Sequence, residues 1–169
     1  MVAITYGPVT GLDKAGRSIR YQIISRNERL SLVDFYAAFE PKAAYQGLPP
    51  LLGQVEKWLD HLLADWVNMG AFHQDRLVGH SALNSIGKEV MSEYLIFVTP
   101  EYQNEGIGTA LTQYAISLAR WAHCQKVWLV VQNSNLRAIK VYRKVGFHFT
   151  EPFANEREMV LLLKQSGNK

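Results

Sequence analysis

The chain has 169 residues, the length of one ordinary domain, and its 48% hydrophobic and 20% charged composition supplies a packed core, which excludes a disordered or collagen-like chain. Its unbroken apolar runs, such as Val127–Val131, fall far short of the ~20 residues that span a bilayer, and the start MVAITYGP has no basic stretch leading into an apolar one, so a cytoplasmic protein with no membrane partner is expected. The net charge of +3 conceals an asymmetry: from Gly106 to Thr150 there is no Asp or Glu, while Arg120, Lys126, Arg137, Lys140, Arg143 and Lys144 all fall there, a one-signed field suited to an anionic ligand unless these bases merely coat solvated helix faces.

In chain order, Arg17 to Ser25 alternates as a first strand. From Glu28, the residues Leu30, Val33, Phe35, Tyr36 and Phe39 recur at helical spacing, and Pro41 ends that helix. After a break at Gly47–Pro50, Leu51, Val55, Trp58, Leu59, Leu62, Leu63 and Trp66 form a second helical stripe, with Gly70 as its stop. Two short strands, about Ala71–His73 and Leu77–Leu83, flank a Gln74-Asp75 turn, and a longer one runs from about Glu89 to Val98. Helical spacing returns at Ile107, Ala110, Leu111, Tyr114, Ala115 and Leu118. Cys124, at the end of that helix, can neither close an internal disulfide nor build a structural zinc site and is expected to be a buried, inert thiol. Val127–Val131 is a continuous apolar strand, expected to be buried on both faces. A helix from about Asn135 to Lys144, stopped by Gly146, and strands near Phe147 and Met159–Leu163 complete a mixed α/β layout, one sheet covered by helices. Trp58, Trp66, Trp121 and Trp128 fit core stripes. His61, His73, His123 and His148 fall at no ligand or triad spacing, and no metal is expected. No run of bases and no helix-turn-helix or zinc-finger spacing supports nucleic acid as a partner.

The most informative stretch follows the strand ending at Val98. Thr99-Pro100-Glu101-Tyr102-Gln103-Asn104-Glu105-Gly106-Ile107-Gly108-Thr109 is a turn with two glycines that opens a helix. The free N–H groups and positive dipole end of a helix N-terminus bind anions, and glycine lets a diphosphate approach the backbone. The Thr109 hydroxyl adds a further donor. A dinucleotide fingerprint would need a small residue where Leu111 stands, and no Gly-Lys-Ser/Thr follows to make a P-loop.

Here the sequence resembles a known family. Gln103–Gly108 fits the Q/R-x-x-G-x-G/A loop of the GNAT acetyltransferase superfamily, and Asn133–Phe147 (NSNLRAIKVYRKVGF) resembles its second signature, an Asn, a helix carrying a Tyr, then Gly-Phe. The resemblance covers Leu77 to about Leu163 well and Arg17–Pro50 loosely, and looks most like the acetyltransferase domain of bacterial protein-lysine acetyltransferases. It implies one domain over residues 1–169, with a mixed sheet of roughly six to seven strands splayed near Val98 and about four flanking helices. It also implies acetyl-CoA as co-substrate and an amine acceptor, small molecule or protein, with a homodimer as one option for assembly. A non-catalytic acyl-CoA sensor is the alternative.

Acyl transfer to an amine needs a neutral amine, a stabilised carbonyl oxygen and a proton for the departing thiolate. For the carbonyl, the resemblance points to the backbone N–H of Val98, with Phe97 beside it along the pantetheine arm. Gln103, Asn104, Glu105, Gly106, Ile107, Gly108 and Thr109 form the implied diphosphate loop. Tyr142 is the implied acid, and Asn135, about 10.5 Å away along the helix, shares its groove. Tyr142 could instead be a surface aromatic, and Asn135 a helix N-cap. Glu93 is the implied base, its pKa raised by partial burial, or else a solvated or ion-paired strand residue; His80, Glu89 and Glu28 are weaker choices. Phe35, Tyr36, Phe39 and Tyr45 either shape the acceptor pocket or fill a core between the first helices.

Overall fold

The computed structural model of the chain describes residues 7–37, 39, 54–84, 90–150 and 155–163. The expected helix end at Pro41, the break at 47–50, Tyr45 and Glu89 lie outside these residues. Among the described residues one eight-stranded sheet runs in the order β1-β2-β3-β4-β5-β6-β8-β7. Its strands are β1 Val9–Leu12, β2 Ser18–Ile24, β3 Trp66–His73, β4 Arg76–Asn84, β5 Met91–Val98, β6 Lys126–Gln132, β7 His148–Phe149 and β8 Glu156–Leu162. Four α-helices, α1 Arg29–Ala37, α2 Val55–Asp65, α3 Ile107–Trp121 and α4 Leu136–Val145, join 3-10 turns at Arg26–Glu28 and Pro100–Tyr102. Among the described residues every strand pair is antiparallel except β5–β6, whose connection runs through α3. No described helix is long and apolar enough to cross a membrane.

Strand alternation gives the sheet two different faces. On one, Leu111, Ala115 and Leu118 of α3 pack with Val127, Leu129 and Val131 of β6 and with Met159 and Leu161 of β8. On the other, Leu32, Phe35 and Tyr36 of α1 and Leu59 and Leu62 of α2 pack over Phe72 and Leu77, with Leu95 and Phe97 of β5 at their edge. Tyr94, Ile96 and Val98 therefore face α3, while Glu93, Leu95 and Phe97 face the α1/α2 side.

Several sequence expectations are corrected. The edge strand β1 brings the sheet to eight strands; with its side chains largely exposed, it offers no burial pattern to read. Gly70 does not stop α2, which ends at Asp65 and passes directly into β3. Gly70 lies inside β3 because a Cβ there would come within 2.7 Å of Ile24 and Phe72 side-chain atoms. β6 is buried on one face only, since Val130 is 52% exposed. Trp121 is 56% exposed, and Trp128 belongs to neither core. Cys124 is buried as expected.

Candidate active site

The splay between β5 and β6 begins lower than expected. Their pairing runs Met91↔Lys126, Ser92↔Val127 and Glu93↔Trp128, and no further pair is present among the described residues. Above Glu93, β5 stays with β4 and β6 stays with β8, so the strands diverge over five residues of β5 and Val98 stands at the wide end. The bonding phase fixes which amides line the gap. Thr99 N–H donates to Val78 O (3.0 Å), so by alternation Phe97 turns its polar groups to β4 while Ile96 and Val98 turn theirs to the gap. Across it, Leu163 N–H donates to Gln125 O, which turns the main chain of Val130 and Gln132 towards the same space. Main-chain groups thus face each other where a ladder would otherwise close.

The loop at the wide end is held from three directions. Asn104 and Gly106 both take positive φ, +65° and +91°, and Gly106 is the N-cap of α3 without any side-chain cap. The helical bonding begins with Ala110 N–H donating to Gly106 O (3.0 Å), which leaves Ile107, Gly108 and Thr109 as the open amides of the first turn, with no acidic residue beside them. A Cβ on Gly108 would enter the space between Val98 and Val141, 3.8 Å from each. The turn between β1 and β2 braces the loop from behind: Lys14 N–H donates to Glu105 O (3.0 Å) and its Nζ to Asn104 O (3.0 Å). A trans peptide sets its N–H opposite its carbonyl, so the amides of Glu105 and Gly106 point away from Lys14. Gln103 donates its Nε2 to Val98 O (2.9 Å) and accepts from Arg137 of α4. This occupies the Val98 carbonyl and leaves its N–H free of that contact. Lys14 was not singled out by the sequence reading, and Arg137 entered it only as one base of the acid-free segment; both act across long separations that carry no local signal.

Tyr142 is 7% exposed, packs its ring on Phe147 (centroids 5.8 Å apart), and has its hydroxyl pushed well above the usual tyrosine range by burial. Its hydroxyl has no hydrogen bond among the described residues. Tyr94, electrostatically coupled to it, donates to Thr112 Oγ1 (3.0 Å), which donates to Gly108 O (2.7 Å). This buried chain ties β5 to the first turn of α3. Asn135 is the N-cap of α4, its Oδ1 accepting from Ala138 N–H (3.1 Å).

Glu93, half-buried at the last paired position of β5, has its carboxyl raised by desolvation. Of the weaker base candidates, Glu28 and His80 are occupied elsewhere. Glu28 closes a capping box on Ser25; burial alone would raise its carboxyl, but the Ser25 hydrogen bonds outweigh it and hold it below the usual range. His80 is fully buried between Tyr36 (2.6 Å) and Asn68 (3.1 Å), and burial lowers its pKa to about 3. Asn68 Nδ2 donates to Leu62 O and Trp66 O, so its Oδ1 must accept from His80 Nε2–H, and the Tyr36 hydroxyl donates to Nδ1. Phe35, Tyr36 and Phe39 form an aromatic core against Phe97. No group of His, Cys, Asp or Glu suited to a metal ion occurs among the described residues.

Residues 29–147 match the acetyltransferase (GNAT) family. The uncharacterized Bacillus subtilis protein YdhI is 34% identical over 107 residues, 58% of this chain and 67% of that protein. A mycothiol acetyltransferase of Nocardiopsis dassonvillei is 31% identical over 137 residues, 76% of this chain; the chain spans only 42% of that enzyme. Among solved structures, the GNAT domain of S. lividans PAT superposes with a TM-score of 0.80 at 18% identity, covering 92% of this chain and 97% of that one. PaiA N-acetyltransferase from Thermoplasma acidophilum, in complex with coenzyme A, gives a TM-score of 0.68 at 22% identity, with 86% and 99% coverage.

Proposed function

The chain belongs to the GNAT acetyltransferase family, and on that premise we propose that it transfers the acetyl group of acetyl-CoA to an amine, of a small molecule or a protein, by direct attack with both substrates bound together. One observation carries this reading: the parted strands open directly onto the uncapped first turn of α3. The amides of Gly106, Ile107, Gly108 and Thr109 would hold the diphosphate, on a loop shaped by Gln103, Asn104 and Glu105. No atom of the described residues lies within 4 Å of where a Cβ on Gly106 would stand, so the approach to these amides is open to such a group. A solved relative of the same fold binds coenzyme A, which supports the assignment.

When bound, acetyl-CoA supplies a thioester whose C–S bond breaks as the amine nitrogen bonds to the acetyl carbon. Val98 N–H, turned into the gap next to Phe97, stabilises the carbonyl oxygen as it gains charge. Glu93 lies five residues, about 16 Å, down the strand from Val98, so it takes the proton that the amine loses by way of bridging water, and its desolvated carboxylate is the better base for being destabilised. Tyr142 gives a proton to the departing sulfur, a role suited to a hydroxyl that burial keeps protonated. Glu93 faces the α1/α2 side and Tyr142 the α3/α4 side, so base and acid approach the gap from opposite faces of the sheet. Asn135 sets the start of the helix that carries Tyr142.

The test is calorimetric binding of acetyl-CoA, followed by release of free CoA thiol with a panel of amines. Gly108→Ala should raise the acetyl-CoA KM about ten-fold or more while Tm holds or rises slightly, since alanine is the better helix former by roughly 0.5–1 kcal/mol. Undiminished affinity in that variant places the diphosphate elsewhere. Binding without thiol release from any amine makes the chain a sensor.

A further inference from the structure

The turn joining β1 to β2 is more rigid than an exposed hairpin turn requires. Asp13 is only 8% exposed, and its carboxylate accepts from Arg17 N–H (2.9 Å) and Arg17 Nε (2.7 Å). The main chain closes the same turn, with Asp13 N–H donating to Arg17 O (3.0 Å) and Gly16 N–H to Asp13 O (3.1 Å). Arg17 is thereby laid on the ring of Tyr102, its Cζ 4.1 Å from the centroid. Tyr102 is itself buried, with its hydroxyl bonded to His73 Nδ1 of β3 (2.8 Å) and its N–H donating to Thr99 O (2.9 Å). Lys14, beside Asp13, contacts Asn104 and Glu105. The turn therefore grips the loop on both sides of Gln103, the residue that holds Val98 O.

The two bonds from Lys14 act on different peptides. Its main-chain N–H holds Glu105 O, in the same peptide as the Gly106 amide, and its ammonium holds Asn104 O, in the same peptide as the Glu105 amide. Asn104 stands at φ +65°, where a residue with a side chain is disfavoured, so its peptide needs a partner to keep its direction. A cation on the carbonyl oxygen also polarises that peptide and strengthens the N–H at its other end. The ammonium brings positive charge to a loop that carries Glu101, already paired with Arg76 (2.9 Å), and Glu105.

We propose that Lys14 is a positioning residue for the cofactor: from behind the loop, its ammonium keeps the Asn104–Glu105 peptide turned so that the Glu105 amide faces the diphosphate, and so sets the affinity for it. This rests on the acetyltransferase reading. The test needs no acceptor amine. Calorimetry with coenzyme A and with 3′-dephospho-coenzyme A, which keeps the diphosphate, should give a Kd raised about five-fold for both ligands in Lys14→Met, which retains the aliphatic stem and the main-chain bond. Lys14→Arg, which keeps a cationic donor, should stay within about two-fold of wild type. In the amide spectrum of the ligand-free protein, Lys14→Met should move the Glu105 signal more than that of Gly106, whose peptide keeps its bond to the Lys14 N–H. An unchanged Kd in Lys14→Met or an unmoved Glu105 signal overturns the positioning assignment alone. So does a loss that disappears with 3′-dephospho-coenzyme A, which would make Lys14 a direct ligand of the 3′-phosphate. A wild-type protein that binds neither ligand overturns the assignment together with the reading beneath it.

Discussion

At Tyr142 the side chain is buried and its hydroxyl has no hydrogen bond among the described residues, which is what the proposed acid requires. Tyr142→Phe should lower kcat by about 10²-fold and leave the acetyl-CoA KM unchanged, because only a proton delivered in the transition state is removed; steady-state kinetics in both substrates decides it. Glu93 titrates above the ordinary 4.5 because desolvation penalises its charged form. The proposed base works only when ionised, so kcat/KM should rise with pH through that raised value. Glu93→Gln should abolish this limb and cut turnover, and a pH profile that keeps its acid limb in the variant assigns the base elsewhere. The sequence proposes both side chains because each sits at a fixed offset from a motif, and the kinetic tests above decide their roles. Trp128 was misread as core for a related reason: a run of five apolar residues cannot show which of its members the sheet leaves uncovered.

At the level of elements, the decisive piece is the coupling of α3 and α4 to the open end of the sheet. Asn135 caps α4, and Asn135→Ala should cost about 1 kcal/mol in denaturant unfolding. If it acts only as a cap, the acetyl-CoA KM should stay near wild type; a rise beyond about three-fold would mean a second role at the cofactor groove. The loop before α3 was readable from Gly106 and Gly108, and at Gly106 the positive φ of +91° demands the glycine. Its bracing was not. Lys14 is ninety residues from Asn104, and Arg137 and Gln103 lie on different elements, so neither pairing leaves a periodic trace. Elements with a continuous apolar run or a helical stripe, such as β4, α3 and α4, were placed to within a few residues, whereas the exposed β1 was missed.

For the molecule as a whole, two hydrophobic clusters on opposite faces sandwich the sheet, and one contains a polar chain, Tyr36–His80–Asn68, sealed from water. His80 binds a proton near 6.5 when unfolded but only near about 3 when folded. The unfolded state therefore takes up more protons between those values, and stability is complete above pH 6.5 and lost as pH falls towards 3. Urea unfolding at pH 7 and pH 5 should show this loss, and His80→Gln should flatten it. Asp13 and Glu28, whose carboxyls sit below the ordinary range, add their own loss only at lower pH. By itself the sequence determined the family, the mixed α/β class, the two-glycine turn that opens α3 and the acid-free basic segment, because each is written in residues close together along the chain. Only the tertiary structure decided where β5 leaves β6, which faces Glu93, Tyr142 and Trp128 occupy, and what holds the loop open, because those follow from strand register and from contacts between segments that meet only once the sheet has formed.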